Sequence, residues 1–251
     1  MKVNALIGGT QKGGTTALFD FLSTHPQIAV PRNGIKEVNF FDKKENFITF
    51  PPNYREYERL FQTVPDTRIM LEATPIYLYW APSAERISAY NSRMRLIFLL
   101  RDPVARAYSQ WEMEFSRGSE TEPFDRAIEL EQEFIENNPT GQHRVRSYLS
   151  RGYYCVQVRR FLQYFDRSQI LLLRNDELLS HHERTLGLVC EFLDIDCFSP
   201  YPASRIVLPT NKDAKLPKLS LGLTESLRSY FREDLLELHR LTGVYVQDWL
   251  G

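Results

Sequence analysis

The chain has 251 residues, 43% hydrophobic and 25% charged, an ordinary composition for a globular α/β domain of this size. Thirty-one Lys and Arg against 32 Asp and Glu give a formal net charge of −1, which excludes a polybasic drive toward nucleic acid or a membrane. No apolar run approaches the ~20 residues of a spanning helix, and Cys155, Cys190 and Cys197 suit reduced thiols better than a disulfide framework.

The first predicted element is an apolar strand over residues 3–7. It starts so close to Met1 that no secretory leader is expected, which points to a cytoplasmic location. A loop rich in Gly and Thr follows, then an amphipathic helix over 15–24. A short strand at 28–30 comes after His25-Pro26, and another at 68–72 closes on Thr74-Pro75. The clearest apolar strand is 96–100; Arg101-Asp102-Pro103 ends it, and a helix continues to about Arg117. A last strand at 170–173 lies between helices near 153–165 and 181–193. Short apolar strands alternating with helices predict an α/β fold in three layers, with a central, mostly parallel sheet flanked by helices. One domain over 1–251 is expected. The proline-bearing stretches 47–65 and 199–219 are read as loops within it.

The loop between the first strand and helix reads Gly8-Gly9-Thr10-Gln11-Lys12-Gly13-Gly14-Thr15-Thr16. Its glycines allow a tight turn that aims successive N–H groups at an anion, and the Thr15 and Thr16 hydroxyls can cap the helix and donate to the same oxygens. The loop is P-loop-like, yet the position after Gly-x-x-x-x-Gly, which a nucleotide P-loop fills with Lys, holds Gly14 or Thr15; the lysine stands upstream, at Lys12. The central strand departs in the same way. A Walker-type ATPase ends it with Asp for Mg²⁺, whereas Arg101 stands here, followed by Arg106 and Ser109. Positions 101, 105 and 109 share a helical spacing if the turn is tight, so Arg101 and Ser109 can grip one anion. No His or Cys has metal-ligand spacing, and no metal is expected. The plainer alternatives are a Gly-rich turn with a surface lysine, and a strand-end salt bridge for Arg101.

Together these segments resemble the sulfotransferases that use 3′-phosphoadenosine 5′-phosphosulfate (PAPS). The stretch from Gly9 to Thr16 looks like the family's 5′-phosphosulfate loop, and Leu100-Arg101-Asp102-Pro103-Val104-Ala105-Arg106-Ala107-Tyr108-Ser109 like its 3′-phosphate segment. Lys36-Glu37-Val38-Asn39-Phe40-Phe41-Asp42 resembles the Lys-Glu-x-His-Phe-Phe-Asp stretch of the heparan sulfate sulfotransferase branch and its bacterial relatives. Arg151-Gly152-Tyr153-Tyr154 and Glu191-Phe192-Leu193 look like later landmarks. The resemblance implies transfer of a sulfuryl group from PAPS to a hydroxyl or amine of a carbohydrate or small-molecule acceptor, leaving adenosine 3′,5′-bisphosphate. It implies Lys12 and Glu37 as the catalytic pair. Gln11, Lys12, Gly13, Gly14, Thr15 and Thr16 would bind the 5′-phosphosulfate, and Arg101 and Ser109 the 3′-phosphate, with Lys212 and Lys215 from a basic loop. Two positions depart from the branch: Asn39 replaces a usual His, and Glu72-Ala73-Thr74-Pro75 lacks the Lys of Glu-Lys-Ser/Thr-Pro.

Sulfuryl transfer is chiefly positioning and charge stabilisation, with a single cation at the leaving oxygen standing where Mg²⁺ serves in phosphoryl transfer. Lys12 supplies that charge. Glu37 would take the acceptor's proton if partial burial raises its pKa, with Lys36 pulling the other way. His25, His143, His181, His182 and His239 read as structural or surface residues. Aromatic residues near 50–57 and 77–80, with Trp111, either stack on a sugar acceptor or belong to the core. Two other classes stay open: a P-loop small-molecule kinase, and a non-catalytic binder of adenosine 3′,5′-bisphosphate.

Overall fold

The computed structural model describes residues 1–204 and 219–251. They form two compact units, one of Met1–Leu100 and Val158–Pro209, the other of Arg101–Gln157 and Thr210–Gly251.

The first unit opens with β1 (Ala5–Gly9), α1 (Thr15–Leu22), β2 (Ile28–Ala29), α2 (Tyr54–Glu58), β3 (Ile69–Ala73), α3 (Pro82–Tyr90) and β4 (Arg95–Leu100). The second contains α4 (Pro103–Ser116), α5 (Phe124–Asn137) and the first turn of α6 (Tyr154–Leu162), whose remainder belongs to the first unit. The first unit then adds β5 (Ile170–Arg174), α7 (Asn175–Ser180) and α8 (His182–Leu193); α9 (Leu221–Thr242) completes the second. No helix among the described residues is long and apolar enough to cross a membrane.

Five strands pair in the order β2-β3-β1-β4-β5, and every pairing is parallel. A wholly parallel sheet must be covered on both faces, because each strand buries both sets of side chains. Alternation along the strands puts Ala5, Ile7, Leu71, Ala73, Ile97 and Leu99 on one face. Leu18, Phe21 and Leu22 of α1 and Leu186, Val189 and Leu193 of α8 pack there into one apolar cluster. On the opposite face Phe98 meets Phe161 of α6 edge-on, with ring centroids 4.9 Å apart. The loop at the end of β1 is thereby held at the carboxyl edge of the sheet, where parallel α/β folds bind ligands.

In the second unit Asp102 caps α4, accepting the Val104 and Ala105 N–H groups at 2.8 and 3.1 Å, with Pro103 at the first helical position. Buried carboxylates fix the rest of that unit. Glu131 of α5 accepts the N–H groups of Leu149 and Ser150 at 2.7 and 2.9 Å. Asp234 of α9 accepts those of Cys155 and Val156 at 3.0 and 3.3 Å.

All five predicted strands are present, with ends moved by one or two residues. The 47–65 stretch is not wholly irregular. Within it Asn53 caps α2 by accepting the Glu56 N–H, and Tyr57 of that helix is buried. Its single turn is too short to show a helical period in the sequence.

Candidate active site

At Gly9 the chain leaves β1 and doubles back against β4. The Thr10 N–H donates to the Leu99 carbonyl at 2.9 Å, and the Gly13 N–H returns to the Thr10 carbonyl at 2.9 Å. A Cβ at Gly13 would lie 2.4 Å from the Leu99 carbonyl oxygen, so no other residue fits this approach. Asn175 of α7 donates to the Gly13 carbonyl at 3.0 Å and braces the loop. Gly14, at φ 91°, is the N-cap of α1 and provides no side-chain cap. The expected capping by the Thr15 and Thr16 hydroxyls is therefore not found, because both residues already lie inside the helix. Their N–H groups, with that of Ala17, have no acceptor within the helix and are available to an anion. Lys12 itself is held at φ 68°, a left-handed conformation that costs a residue with a Cβ about 1 kcal/mol or more. Gln11 and Lys12 are half-buried.

The segment carrying Glu37 meets this loop through Lys36. The Lys36 ammonium donates to the Thr16 hydroxyl and lies 3.7 Å from a Glu37 carboxylate oxygen. Burial pushes the Lys36 pKa below its ordinary value; Glu37 opposes the shift, and the positive charge of Lys12 adds to it. Lys12, Thr16, Lys36 and Glu37 thus form one electrostatic cluster. Lys36 is absent from the predicted site residues, and its only signal was adjacency to Glu37. The partial burial expected of Glu37 is not observed: its side chain is 52% exposed, because the apolar anchors Phe40 and Phe41 lie several residues downstream. Asn39 adopts φ 57° and donates to Asp42 at 3.3 Å. Asn tolerates that conformation better than most residues, which gives Asn39 a backbone role. Ala73 is fully buried at the end of β3, within the apolar cluster.

Arg101 and Ser109 belong to the second unit. Asp102 has a non-helical ψ of 117°, so α4 starts at Pro103 and Arg101 falls outside its register. The helical spacing of 101, 105 and 109 is accordingly not realised. The half-buried Arg101 accepts the Tyr154 hydroxyl at its carbonyl, at 2.7 Å, and Ser109 is 7% exposed. Arg106 is fully buried and donates to Gln110 at 2.8 Å and to the Tyr148 carbonyl, which is a structural role. Lys212 and Lys215 lie outside the described residues. His25 is structural, with its ring bonded to the Asp196 carbonyl and the Gln27 N–H. Among the candidate acceptor aromatics, Tyr57, Tyr77, Tyr79 and Trp111 are core, whereas Phe50 is exposed.

Beside the Lys36–Asp42 segment lies a carboxylate the predicted site did not include. Glu72 of β3 is fully buried and accepts the hydroxyls of Tyr57, Thr74 and Tyr77. Loss of water dominates, raising its pKa to about 7; the three hydroxyl donors oppose that rise, and the nearby Asp42 charge reinforces it.

An all-parallel sheet covered by helices, with a glycine loop pressed on its carboxyl edge and two lysines beside the following helix, defines an α/β protein. The sulfotransferase domain family model matches residues 3–212. Human heparan sulfate glucosamine 3-O-sulfotransferase 3B1 is 27% identical over 259 aligned positions, covering 95% of this chain and 63% of that protein. The chain therefore spans about three-fifths of that relative's length. The crystal structure of a sulfotransferase from Alicyclobacillus acidocaldarius matches with a TM-score of 0.80 and 26% identity, covering 99% of both chains. Mouse sulfotransferase SULT7A1 complexed with PAP shares the fold at a TM-score of 0.51 and 15% identity, over 80% of this chain and 61% of that one. The chain belongs to the sulfotransferase domain family.

Two stability measurements check this geometry. Gly13→Ala must displace the loop from the Leu99 carbonyl and should cost about 1–3 kcal/mol in denaturant unfolding. Glu72 has a higher pKa folded than unfolded, so its contribution is complete below pH 4.5 and lost as the pH rises to about 7. The loss amounts to about 3 kcal/mol. Glu72→Gln carries no charge, so its melting temperature relative to wild type should increase from about pH 5 to about pH 8. A difference that stays constant with pH contradicts the assignment.

Proposed function

We propose that the protein moves a sulfuryl group from PAPS to a hydroxyl or amine of a carbohydrate or small-molecule acceptor, in line and without a metal. The observation that carries this reading is the cluster at the start of α1: Lys12, Thr16, Lys36 and Glu37 around a loop that admits only glycine at position 13. Membership of the sulfotransferase family supports it. The heparan sulfate relative favours a carbohydrate acceptor.

The residues fit the donor substrate's anionic end. The Thr15, Thr16 and Ala17 amides and the two lysines offer N–H donors and positive charge, as a phosphosulfate requires. The half-buried Gln11 and the Gly13 and Gly14 backbone complete that loop. Arg101 and Ser109 of the second unit, with Lys212 and Lys215, are assigned to the 3′-phosphate by the family pattern. PAPS supplies a sulfur bound to a phosphate that is already a stable leaving group. As the acceptor oxygen or nitrogen bonds to sulfur, the bond from sulfur to the 5′-phosphate oxygen breaks. Glu37 takes the acceptor's proton, and its exposure lets an incoming hydroxyl reach it. Lys12 meets the negative charge that gathers on the departing phosphate. Lys36 joins both functions, since it touches Thr16 of the loop and lies beside Glu37. The single-domain reading over 1–251 belongs to the same proposal and is supported by one family match over residues 3–212, which takes in the first unit and the Arg101–Gln157 part of the second. A cytoplasmic location belongs to the same proposal.

The test is sulfuryl transfer from labelled PAPS to a panel of carbohydrate and small-molecule acceptors, with and without chelator. Lys12→Ala should abolish transfer. Glu37→Gln should lower kcat by about 10²–10⁴-fold and leave affinity for adenosine 3′,5′-bisphosphate within about twofold. Arg101→Ala should weaken that affinity about tenfold or more in calorimetry. Equal binding by wild type and Arg101→Ala rules out the 3′-phosphate assignment, and ATP- and Mg²⁺-dependent turnover favours the kinase class instead.

A further inference from the structure

The segment that carries Glu37 has no strand pairing of its own over residues 36–42, yet its backbone is held at three consecutive N–H groups. The Asn39 N–H donates to the Thr74 hydroxyl at 3.3 Å. The N–H groups of Phe40 and Phe41 donate to the Tyr77 hydroxyl at 2.9 and 3.4 Å. A hydroxyl has one proton and two lone pairs, so whether it accepts depends on where its own proton goes. Both protons go to the same atom. Thr74 and Tyr77 donate to Oε1 of Glu72, at 2.5 and 2.8 Å, while Tyr57 donates to Oε2. Glu72 thereby turns the lone pairs of both hydroxyls toward the segment.

The anchor is stiff on its far side. Glu72 pairs in register with Leu6 of β1, the Thr74 N–H donates to the Ile7 carbonyl at 3.1 Å, and the Leu78 N–H donates to the Gly8 carbonyl at 2.8 Å. Phe40 stacks on Tyr57 with ring centroids 4.6 Å apart, and Phe41 meets Tyr77 edge-on at 5.6 Å. The strand that leads into the Lys12 loop and the segment that carries Glu37 are thus tied through one buried carboxylate.

We propose that Glu72 is a positioning residue for the reaction. Through Thr74 and Tyr77 it fixes the backbone of residues 36–42, and with it the placement of Glu37 against the Lys12 loop. The proposal rests on the sulfotransferase reading for the role of Glu37, while the tether itself does not depend on that reading.

Oε1 acts here as an acceptor, a function an amide oxygen retains. In Glu72→Gln the amide oxygen can accept from Thr74 and Tyr77 while its nitrogen donates to the Tyr57 hydroxyl. Glu72→Leu removes the acceptor, and Tyr77→Phe removes the oxygen that two backbone N–H groups share. Hydrogen–deuterium exchange of the peptide covering 36–42 should rise about tenfold in Tyr77→Phe and Glu72→Leu, with β1 and β4 peptides unchanged. Both variants should lose about tenfold in kcat and keep affinity for adenosine 3′,5′-bisphosphate within about twofold. The double variant should be no worse than the worse single one, because both act along one path. Glu72→Gln should stay within about threefold of wild type in exchange and kcat.

Unchanged exchange in Tyr77→Phe overturns the tether, and that variant keeps the test decisive if Glu72→Leu fails to fold. Glu72→Gln as damaged as Glu72→Leu overturns the acceptor geometry. Raised exchange with unaltered kcat overturns the role in the reaction. A wild-type protein that transfers no sulfuryl group to any acceptor refutes the function reading instead, and the exchange comparison still decides the tether.

Discussion

The approach of Gly13 to the Leu99 carbonyl is the constraint from which the rest of the site follows. A Cβ there would sit 2.4 Å from a backbone oxygen on the central strand, where nothing can yield without disturbing the sheet. With glycine at 13, the loop closes on itself through the Thr10 carbonyl, and α1 starts immediately beyond Gly14. That start aims the first N–H groups of the helix outward from the sheet's carboxyl edge and brings Thr16 to the Lys36 ammonium. Lys12 lies in this turn in a left-handed conformation, so the loop's lysine also bears backbone strain.

Buried carboxylates recur where backbone N–H groups have no partner within their own element, in irregular segments and at the first turn of a helix. Glu131 and Asp234 accept backbone N–H groups directly in the second unit, and Asp234 is raised by burial to about pKa 6. Glu72 in the first unit works at one remove, through hydroxyls. Regular strands and helices satisfy their own polar groups, whereas a segment such as 36–42 cannot. A carboxylate offers several acceptor sites in a small volume and can collect donors from separate elements. The cost is desolvation, which shows in the raised pKa of Glu72 and Asp234.

Which of these features were legible in the sequence follows from their range. The strand at 96–100, the glycine loop and the helix after it are local patterns of apolar residues, glycines and caps, and all are present within one or two residues. The placement of Lys12 and Glu37 near one another came from the family resemblance and is compatible with the shared contacts of Lys36. Lys36 is legible only as a neighbour of Glu37, because its contact with Thr16 spans 20 positions and no spacing rule links the two. Glu72 was read only as the neighbour of a missing lysine. Its three hydroxyl partners lie at 57, 74 and 77, and only the pairing of β3 with β1 and the packing of α2 bring them to it. The exposure of Glu37 is set over a similar range: the two phenylalanines that anchor the segment turn inward at 40 and 41, leaving the carboxylate outside.

The two departures from the family pattern then acquire a physical meaning. Ala73 lies opposite Ile7 in the sheet and belongs to the same buried apolar core as Leu71 and Leu18, so a lysine there would need to leave that core before reaching any ligand. The cluster nevertheless contains a second ammonium, because Lys36 approaches Thr16 from the other segment. Lys36 belongs to the Lys-Glu stretch itself, so one short segment brings a cation and a carboxylate to the loop together. Its ammonium meets the Thr16 hydroxyl of the loop helix and lies 3.7 Å from the Glu37 carboxylate. Asn39 fits the same logic. In place of a titratable ring it provides a residue that accepts a left-handed turn and bonds Asp42, which trades a protonation site for a firmer backbone. Charge beside the loop is therefore carried by Lys12, Lys36 and Glu37, whose positions depend on one another, within a chain whose net charge of −1 gives no sign of it.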